Sequence, residues 1–570
     1  MWLINTNTLE LEEFIGSDRP DYVILSHTWG EGEVLFSHVQ AGRLLDDEGR
    51  GSQKIKKTCE LARNEGFEYA WIDTCCIDKS SSVELAEAIN SMFEWYASAA
   101  TCYVYLEDLS TDAPIESFGS CRWFSRGWTL QELVAPDDLI FFDQGWNKRG
   151  TKLGIANLIE EVTSIDQRVL RNKGLLRTMP VAQRMSWAAS RVTTRPEDIA
   201  YCLLGLFDVN MPLIYGEGRK KAFFRLQEEI IRKENDLSIF MWRSQPGEQK
   251  HRGFLAYGPE EFAAESRTSL VKSEIYSPEF AMTNKGIRIH TALSDAESGD
   301  LALGLQYLWP GNPDNALIGV YLRACGGGTY ARMRPTELAV ITKPASGPTT
   351  QRYLSREVHP GLGTKLDSMR DNAVVFSGPF ETLYYRYDST TPDLWWDHDT
   401  RTYLRDGNTS FIAFHMFRSE WDNTMEDNRF IIAFGVSNES MVWVSHGYGG
   451  NDPLFAAAIR GDLDNVESHG IFRFKTRSDE SFIRLNRLGE VHTWTTRDSD
   501  GKSTTEVYQH HQQFGLHTSI SLCTANGFSG YCVNLLPLTN MGLQLPWGKI
   551  AGSFLGLLVL IIILQRYLRD

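Results

Sequence analysis

The sequence lacks the short signatures that most often announce an enzyme. It has no GxxxxGK[ST], GxGxxG, HExxH or GxSxG. P-loop hydrolysis, dehydrogenation, zinc proteolysis and α/β-hydrolase chemistry therefore lose their usual support. Cysteine is sparse: nine residues, an odd number, with no CxxC pair. That argues against a disulfide framework or a zinc site and for a reducing compartment. A basic excess is missing too. The 57 Lys and Arg are outnumbered by 73 Asp and Glu, for a net charge of -16. A nucleic-acid partner gains no electrostatic support from that balance. The N-terminus, MWLINTNTLELEEF, lacks the basic region and apolar core of a signal peptide.

Long apolar runs are absent except at the C-terminus. Ile550 to Leu564 carries no charge, and with Trp547, Gly548 and Lys549 the stretch reaches 18 residues. As a helix that is about 27 Å, a little under a hydrocarbon core of roughly 30 Å. Trp547 and Lys549 at one end and Arg566, Tyr567 and Arg569 at the other suit membrane interfaces. The reading is a transmembrane helix over 547–566, a single-pass C-terminal anchor with the bulk of the chain cytosolic. A buried C-terminal core helix is the alternative.

The chain is long enough for about three or four units. Tyr22-Val-Ile-Leu25 is a short apolar run, the mark of a strand covered on both faces. Residues 53–65 have helical spacing, and Gly66 supplies a stop. Residues 69–106 read as a βαβ unit: a strand at Tyr69–Ile72, a polar turn with Asp73, Cys75, Cys76 and Asp78, a helix, and a strand at Cys102–Leu106. The helix opens on Ser81-x-x-Glu84, a capping-box pattern, and carries the stripe Leu85, Ala86, Ile89, Met92, Phe93, Tyr96. Trp128–Val134 reads as a short helix and Leu139–Phe142 as another buried strand. Residues 150–242 are mainly helical. The result is an α/β core at 20–145 with a helical extension, together residues 1–242. From 250 to 540, short apolar runs recur between turns, which predicts a mainly antiparallel β accessory domain. An ankyrin-like island at 452–470 reads as an inserted helix pair.

Three polar clusters close apolar runs: Ser26, His27, Thr28 and Trp29; Asp73, Cys75, Cys76 and Asp78; Arg122, Arg126, Trp128 and Glu132. If their strands are parallel neighbours, all three converge on one sheet edge, where open α/β sheets place their sites. Each residue also has a bland reading. His27 suits a structural histidine, Asp78 a turn, Cys75 and Cys76 small core residues, and Glu132 a surface carboxylate. Trp29, Trp71, Trp123 and Trp128 suit either the core or stacking on a flat ligand. Trp395-Trp396-Asp397-His398-Asp399 reads as an exposed turn, since no partner spacing supports a metal.

LSHTWG, WIDTCCIDKSSSVELAEAINSMFEWY and CRWFSRGWTLQEL resemble the three blocks of the fungal heterokaryon-incompatibility (HET) domain. The resemblance continues to about residue 242, and 253–289 is similar to a segment that often follows it. It implies a role in non-self recognition and programmed cell death. HET domains are in turn remotely similar to TIR domains, which have a flavodoxin-like fold. SRGWTLQEL resembles the TIR pattern Ser-x-Trp-Cys-x-x-Glu-Leu. That places Trp128 on the motif tryptophan and Glu132 on the catalytic glutamate of NAD-cleaving TIR domains, with Thr129 where cysteine is usual.

The resemblance thus implies Glu132 as the catalytic residue beside Trp128, and the polar clusters supply Ser26, His27, Trp29, Asp73, Asp78 and Arg126 around the ligand. NAD enters as a substrate, with no permanently bound cofactor and no metal. Cleaving the bond from ribose to nicotinamide expels a neutral ring through an oxocarbenium-like state, so one carboxylate can suffice. Three readings compete: a TIR-like NAD-consuming death effector, a non-enzymatic self-associating module that recruits another incompatibility protein, and a membrane-damaging effector acting through its C-terminal helix.

Overall fold

The computed structural model describes residues 1–359 except 17–18, 43–48, 248, 266–269, 274–276, 297–299, 310–315, 327, 344 and 346–348, and beyond 372 the strands lying between 373 and 537. The chain forms two compact units, Met1–Thr364 and Lys365–Asp570.

The first unit begins with a seven-stranded sheet. Its strands are β1 (Trp2–Asn5), β2 (Leu11–Glu13), β3 (Tyr22–His27), β4 (Tyr69–Ile72), β5 (Thr101–Tyr105), β6 (Leu139–Phe142) and β7 (Lys148–Thr151), in the order β2-β1-β4-β3-β5-β6-β7. The four central strands are parallel; β1, β2 and β7 add antiparallel edges. Numbering the parallel strands from β3 gives the order 2-1-3-4 of flavodoxin-like doubly wound sheets. Every residue of β3 and β6 is buried, as strands covered on both faces require.

After β3 come a short helix α1 (Phe36–Gln40) and the crossover helix α2 (Arg50–Asn64). Gly66, at φ +92°, turns the chain out of α2 into β4. Helix α3 (Ser82–Ser98) carries the chain from β4 to β5. Ser81 caps it by accepting the Glu84 amide at 3.3 Å, and Glu84 reaches back one turn further than a capping box does, to the Asp78 amide at 3.0 Å. The buried Trp71 of β4 packs edge-on against Trp95 and Tyr96 of α3, at 5.7 and 5.8 Å between ring centroids. Two short helices, α4 (Arg122–Ser125) and α5 (Thr129–Val134), link β5 to β6. The region expected to be mainly helical is so, through six α-helices from Ala156–Thr163 to Arg219–Lys233.

A ten-stranded sheet over 251–354 completes this unit. Its anchor is buried and polar. Arg332 donates to the carbonyls of Phe240 and Trp242 and stacks on the Trp242 ring at 3.9 Å. Arg252 pairs with Glu261 through two hydrogen bonds, at 2.9 and 3.1 Å. The second unit holds a seven-stranded and a five-stranded sheet.

Among the runs read as strands, GIRIHT, FIAFHMF, FIIAFGV, MVWVSHG and VHTWTT all lie in strands. The pairing is antiparallel with two exceptions. Thr329–Met333 runs parallel to Thr350–Leu354, and Ala373–Ser377 runs parallel to Phe528–Pro537. The β region is thus mainly antiparallel, as expected, with two parallel pairs that make its sheets mixed. Where the sequence suggests a boundary near 242–250, the compact units divide at Thr364, so the first β sheet packs with the α/β region. Among the described residues, no helix is long and apolar enough to cross a membrane. The stretch 547–566, the island 452–470 and Trp395, His398 and Asp399 lie outside the described residues.

Candidate active site

The carboxyl ends of β3 and β4, the face of α3 and the α4–α5 turn enclose a cavity of about 300 Å³. Its lining includes His27, Trp29, Asp73, Arg126, Trp128 and Glu132, six of the eight residues singled out from sequence. Leu85, Ile89 and Met92 of the α3 stripe form its apolar side.

Glu132 forms the floor. It lies in the first turn of α5 and is only 7% exposed. Ser26, the seventh residue, sits behind it rather than on the cavity surface. The Trp123 indole donates to Ser26 Oγ at 2.7 Å, and that hydroxyl donates to Glu132 Oε2. Burial pushes the Glu132 carboxyl up to about 8, and the charge of Asp73 adds to this. Ser26, Tyr96 and Arg126 pull the other way without cancelling it. Free of ligand, Glu132 is thus mainly protonated at neutral pH.

The turn that aims Glu132 is tightly held. Gly127 donates to the Val192 carbonyl at 2.9 Å and Val192 to Ser125 at 2.7 Å. A Cβ on Gly127 would meet Thr193 Cγ2 at 2.5 Å, so only glycine fits. The Thr129 hydroxyl lies within hydrogen-bonding reach of the Trp123 and Arg126 carbonyls and accepts from the buried Arg191 at 3.0 Å. Threonine here ties the turn to the helical extension, a job that a cysteine thiol does weakly.

Trp29 donates its indole N–H to Asp73 at 2.7 Å, which fixes ring and carboxylate together. His27 is enclosed, with Nδ1 3.8 Å from Asp73 and Nε2 3.7 Å from Glu33. Glu33 belongs to a second, more polar hollow of about 540 Å³, also lined by Lys54, Tyr105, Glu107 and Trp146. His27 is therefore the partition between the two. Burial pushes Glu33 up, but His27, the Gly30 amide and Lys54 outweigh it and hold the carboxyl at about 2.

Asp78, the eighth residue, is turn chemistry: its carboxylate accepts the Ser80 amide at 2.9 Å and the Ser80 hydroxyl at 2.6 Å, away from the cavity. Cys75 and Cys76 are buried core residues. The tryptophans divide. Trp71 and Trp123 are core, whereas Trp29 and Trp128 line the cavity.

Six lining residues have no counterpart among those singled out: Ile77, Lys79, Thr194, Arg195, Asp198 and Tyr215. Trp128 donates to Asp198 at 3.2 Å, Tyr215 donates to it at 3.1 Å, and Arg195 lies over the Tyr215 ring at 4.2 Å. Burial raises the Asp198 pKa, against the pull of its two hydrogen bonds. Ile77 and Lys79 lie in the turn between β4 and α3, and the other four come from the helical extension. The signal that could have found Thr194, Arg195 and Asp198 is the polar run Thr194-Arg195-Pro196-Glu197-Asp198 ahead of an apolar helix.

The arrangement defines a class: a doubly wound α/β domain with a partly open cavity at the strand ends, floored by a buried carboxyl and walled by tryptophans and cations. The family profile described as heterokaryon incompatibility protein (HET) matches residues 22–117. The vegetative incompatibility protein HET-E-1 of Podospora anserina is 48% identical over 221 residues, which is 37% of this chain and 16% of that protein. The N-terminal α/β region of the chain thus carries a HET domain. The profile match ends before Trp128 and Glu132, and the chain covers about a sixth of its relative's length. No solved structure matches.

Proposed function

We propose that this protein acts in heterokaryon (vegetative) incompatibility, as a non-self recognition and cell-death effector, and that its HET domain cleaves NAD in the manner of TIR domains. The observation that carries the catalytic half is Glu132: buried, held by Ser26, and facing a cavity with two tryptophans.

The chemistry follows from the charges. A nicotinamide ring bound over Glu132 is a pyridinium cation, and a cation favours the ionised carboxyl. Binding thus drives the Glu132 proton off and places a carboxylate beside the ribose. The C–N bond breaks with its electron pair going to the ring nitrogen, which leaves neutral. Positive charge develops on the ribose, where the carboxylate stabilises it until water adds and gives up a proton. Trp29 or Trp128 stacks on a ring, and Arg126 meets a phosphate.

The test is nicotinamide release from NAD by the full chain at high protein concentration, where self-association is favoured. Release is expected, with kcat/KM rising with pH and levelling above about 8 as Glu132 ionises in the free protein. Wild-type release from Glu132→Ala removes Glu132 from the mechanism. No release at any concentration leaves the self-associating module as the reading.

Membrane anchoring by 547–566 belongs to the same proposal and rests on the sequence alone. Deleting 547–570 is expected to move the protein from the membrane pellet to the supernatant on cell fractionation. An unchanged pellet rejects the anchor, and loss of toxicity with NAD cleavage intact favours the membrane-damaging reading.

A further inference from the structure

The cavity wall contains a cation without an acceptor. Lys79 Nζ is shielded from solvent and makes no hydrogen bond among the described residues. No carboxylate there lies within ion-pair distance of it. What it does touch is the Trp29 ring, 3.6 Å from the centroid. A ring face satisfies the charge in part and none of the N–H directions. An enclosed ammonium left this way is costly, and burial lowers its pKa against the opposing charge of Asp73. A side chain this flexible could reach water instead, so its position marks where an acceptor belongs.

We propose that Lys79 anchors an anionic group, a phosphate or pyrophosphate ester, on the ligand that fills this cavity. Its surroundings suit that role. Arg126 and Arg195 line the same cavity, and neither is in an ion pair among the described residues. Of the three lining carboxyls, burial pushes Glu132 and Asp198 toward their neutral forms, and Asp73 is engaged by the Trp29 indole. In a chain of net charge -16 this is a local site for an anion. Lys79 also lies two residues before the N-cap of the 17-residue helix α3, where backbone dipoles favour negative charge. Trp29 is held by Asp73 with 38% of its surface exposed. When Lys79 turns to a phosphate, the ring face it covers opens to a flat base. The ligand class is thus a phosphate ester with a flat ring beside the phosphate. The inference deepens the proposal above, sharing its cavity but not depending on cleavage.

The experiment is calorimetric titration of the full chain and of Lys79→Met and Lys79→Arg with ADP-ribose, inorganic pyrophosphate and nicotinamide riboside, which has no phosphate. Wild type is expected to bind ADP-ribose more tightly than pyrophosphate. Lys79→Met is expected to weaken both by about 10- to 100-fold, the loss of a hydrogen bond to a charged group. Lys79→Arg retains most of the affinity, and nicotinamide riboside binds wild type and Lys79→Met alike. The melting temperature of Lys79→Met should match or exceed wild type, because a buried charge is gone; this separates lost binding from lost fold. Undiminished binding of both phosphate probes by Lys79→Met overturns the proposal, as does a wild type that binds neither. Pyrophosphate bound as tightly as ADP-ribose overturns the ring-bearing class. Lys79-dependent ADP-ribose binding without NAD cleavage overturns the cleavage reading and leaves this one standing.

Discussion

Glu132→Gln is expected to stabilise the HET-domain unit at alkaline pH while abolishing nicotinamide release. The two effects have one cause. In the unfolded chain this carboxyl titrates near its ordinary value of 4.5; in the fold it titrates near 8. Below about pH 4.5 both states hold the proton, and the group favours neither. Between 4.5 and 8 the unfolded chain gives up its proton while the folded one keeps it, so stability falls as pH rises, and above 8 the loss is complete. Its full size is on the order of a few kcal/mol. Glutamine is isosteric, neutral at every pH, and can still accept from Ser26. The melting temperature of Glu132→Gln should therefore equal that of wild type near pH 4.5 and exceed it by about 5 °C at pH 8–9. Nicotinamide release should fall by about a hundredfold or more, because an amide cannot become the anion that meets the developing cation. Parallel pH–stability curves would show that Glu132 is not held protonated in the fold. A stability gain together with lost turnover is the mark of a group kept for function.

Much of this arrangement was legible because it depends on local pattern. Apolar runs covered on both faces gave β3, β4, β5 and β6 within two residues, and the stripe on α3 gave its buried side. Convergence of the polar clusters followed from one topological condition, that the strands be parallel neighbours, and the sheet meets it. What stayed illegible depends on distance in sequence. Asp198 reads as an ordinary residue at a helix start; only the packing of 186–217 against the α4–α5 turn brings it to Trp128. Lys79 reads as a turn lysine beside Asp78, yet the chain turns so that Asp78 faces its own loop and Lys79 faces the cavity. Ser26 was singled out, but no pattern told that it lies behind Glu132. The edge strands β1 and β2 are short and carry little of the β-branched bias that marks a strand. The boundary of the unit was hidden because its seam is polar: Arg252, Glu261 and Arg332 look like surface charges until Trp242 is placed among them.

That seam sets up the second large effect. Glu261→Ala is expected to destabilise the first unit by about 3–5 kcal/mol, the usual result of removing one partner of a buried pair. Glu261 is 5% exposed and Arg252 1%. Two hydrogen bonds join them, and Glu261 also accepts the Tyr257 amide at 2.9 Å and lends its charge to Arg332. Alanine leaves two guanidinium groups in an enclosed space without their shared counter-charge. Arg332 holds the Phe240 and Trp242 carbonyls, so its displacement should loosen the chain just after the helix Arg219–Lys233. That helix packs on the short helix Asp198–Tyr201, which supplies Asp198 to the cavity. The loss should therefore reach the site. Hydrogen exchange of the full chain is expected to show protection falling together in 198–242 and in the strands of 251–354, with Leu516–Ala525 and Phe528–Pro537 of the second unit unchanged. Protection lost only within 251–354 would mean that the ten-stranded sheet folds apart from the HET domain. The volume-matched change Glu261→Gln can keep one oxygen for Arg252 Nη2 and the Tyr257 amide, but it loses the charge and sets an N–H against Arg252 Nη1. It should still cost less than alanine, because part of the hydrogen bonding and the packing remain.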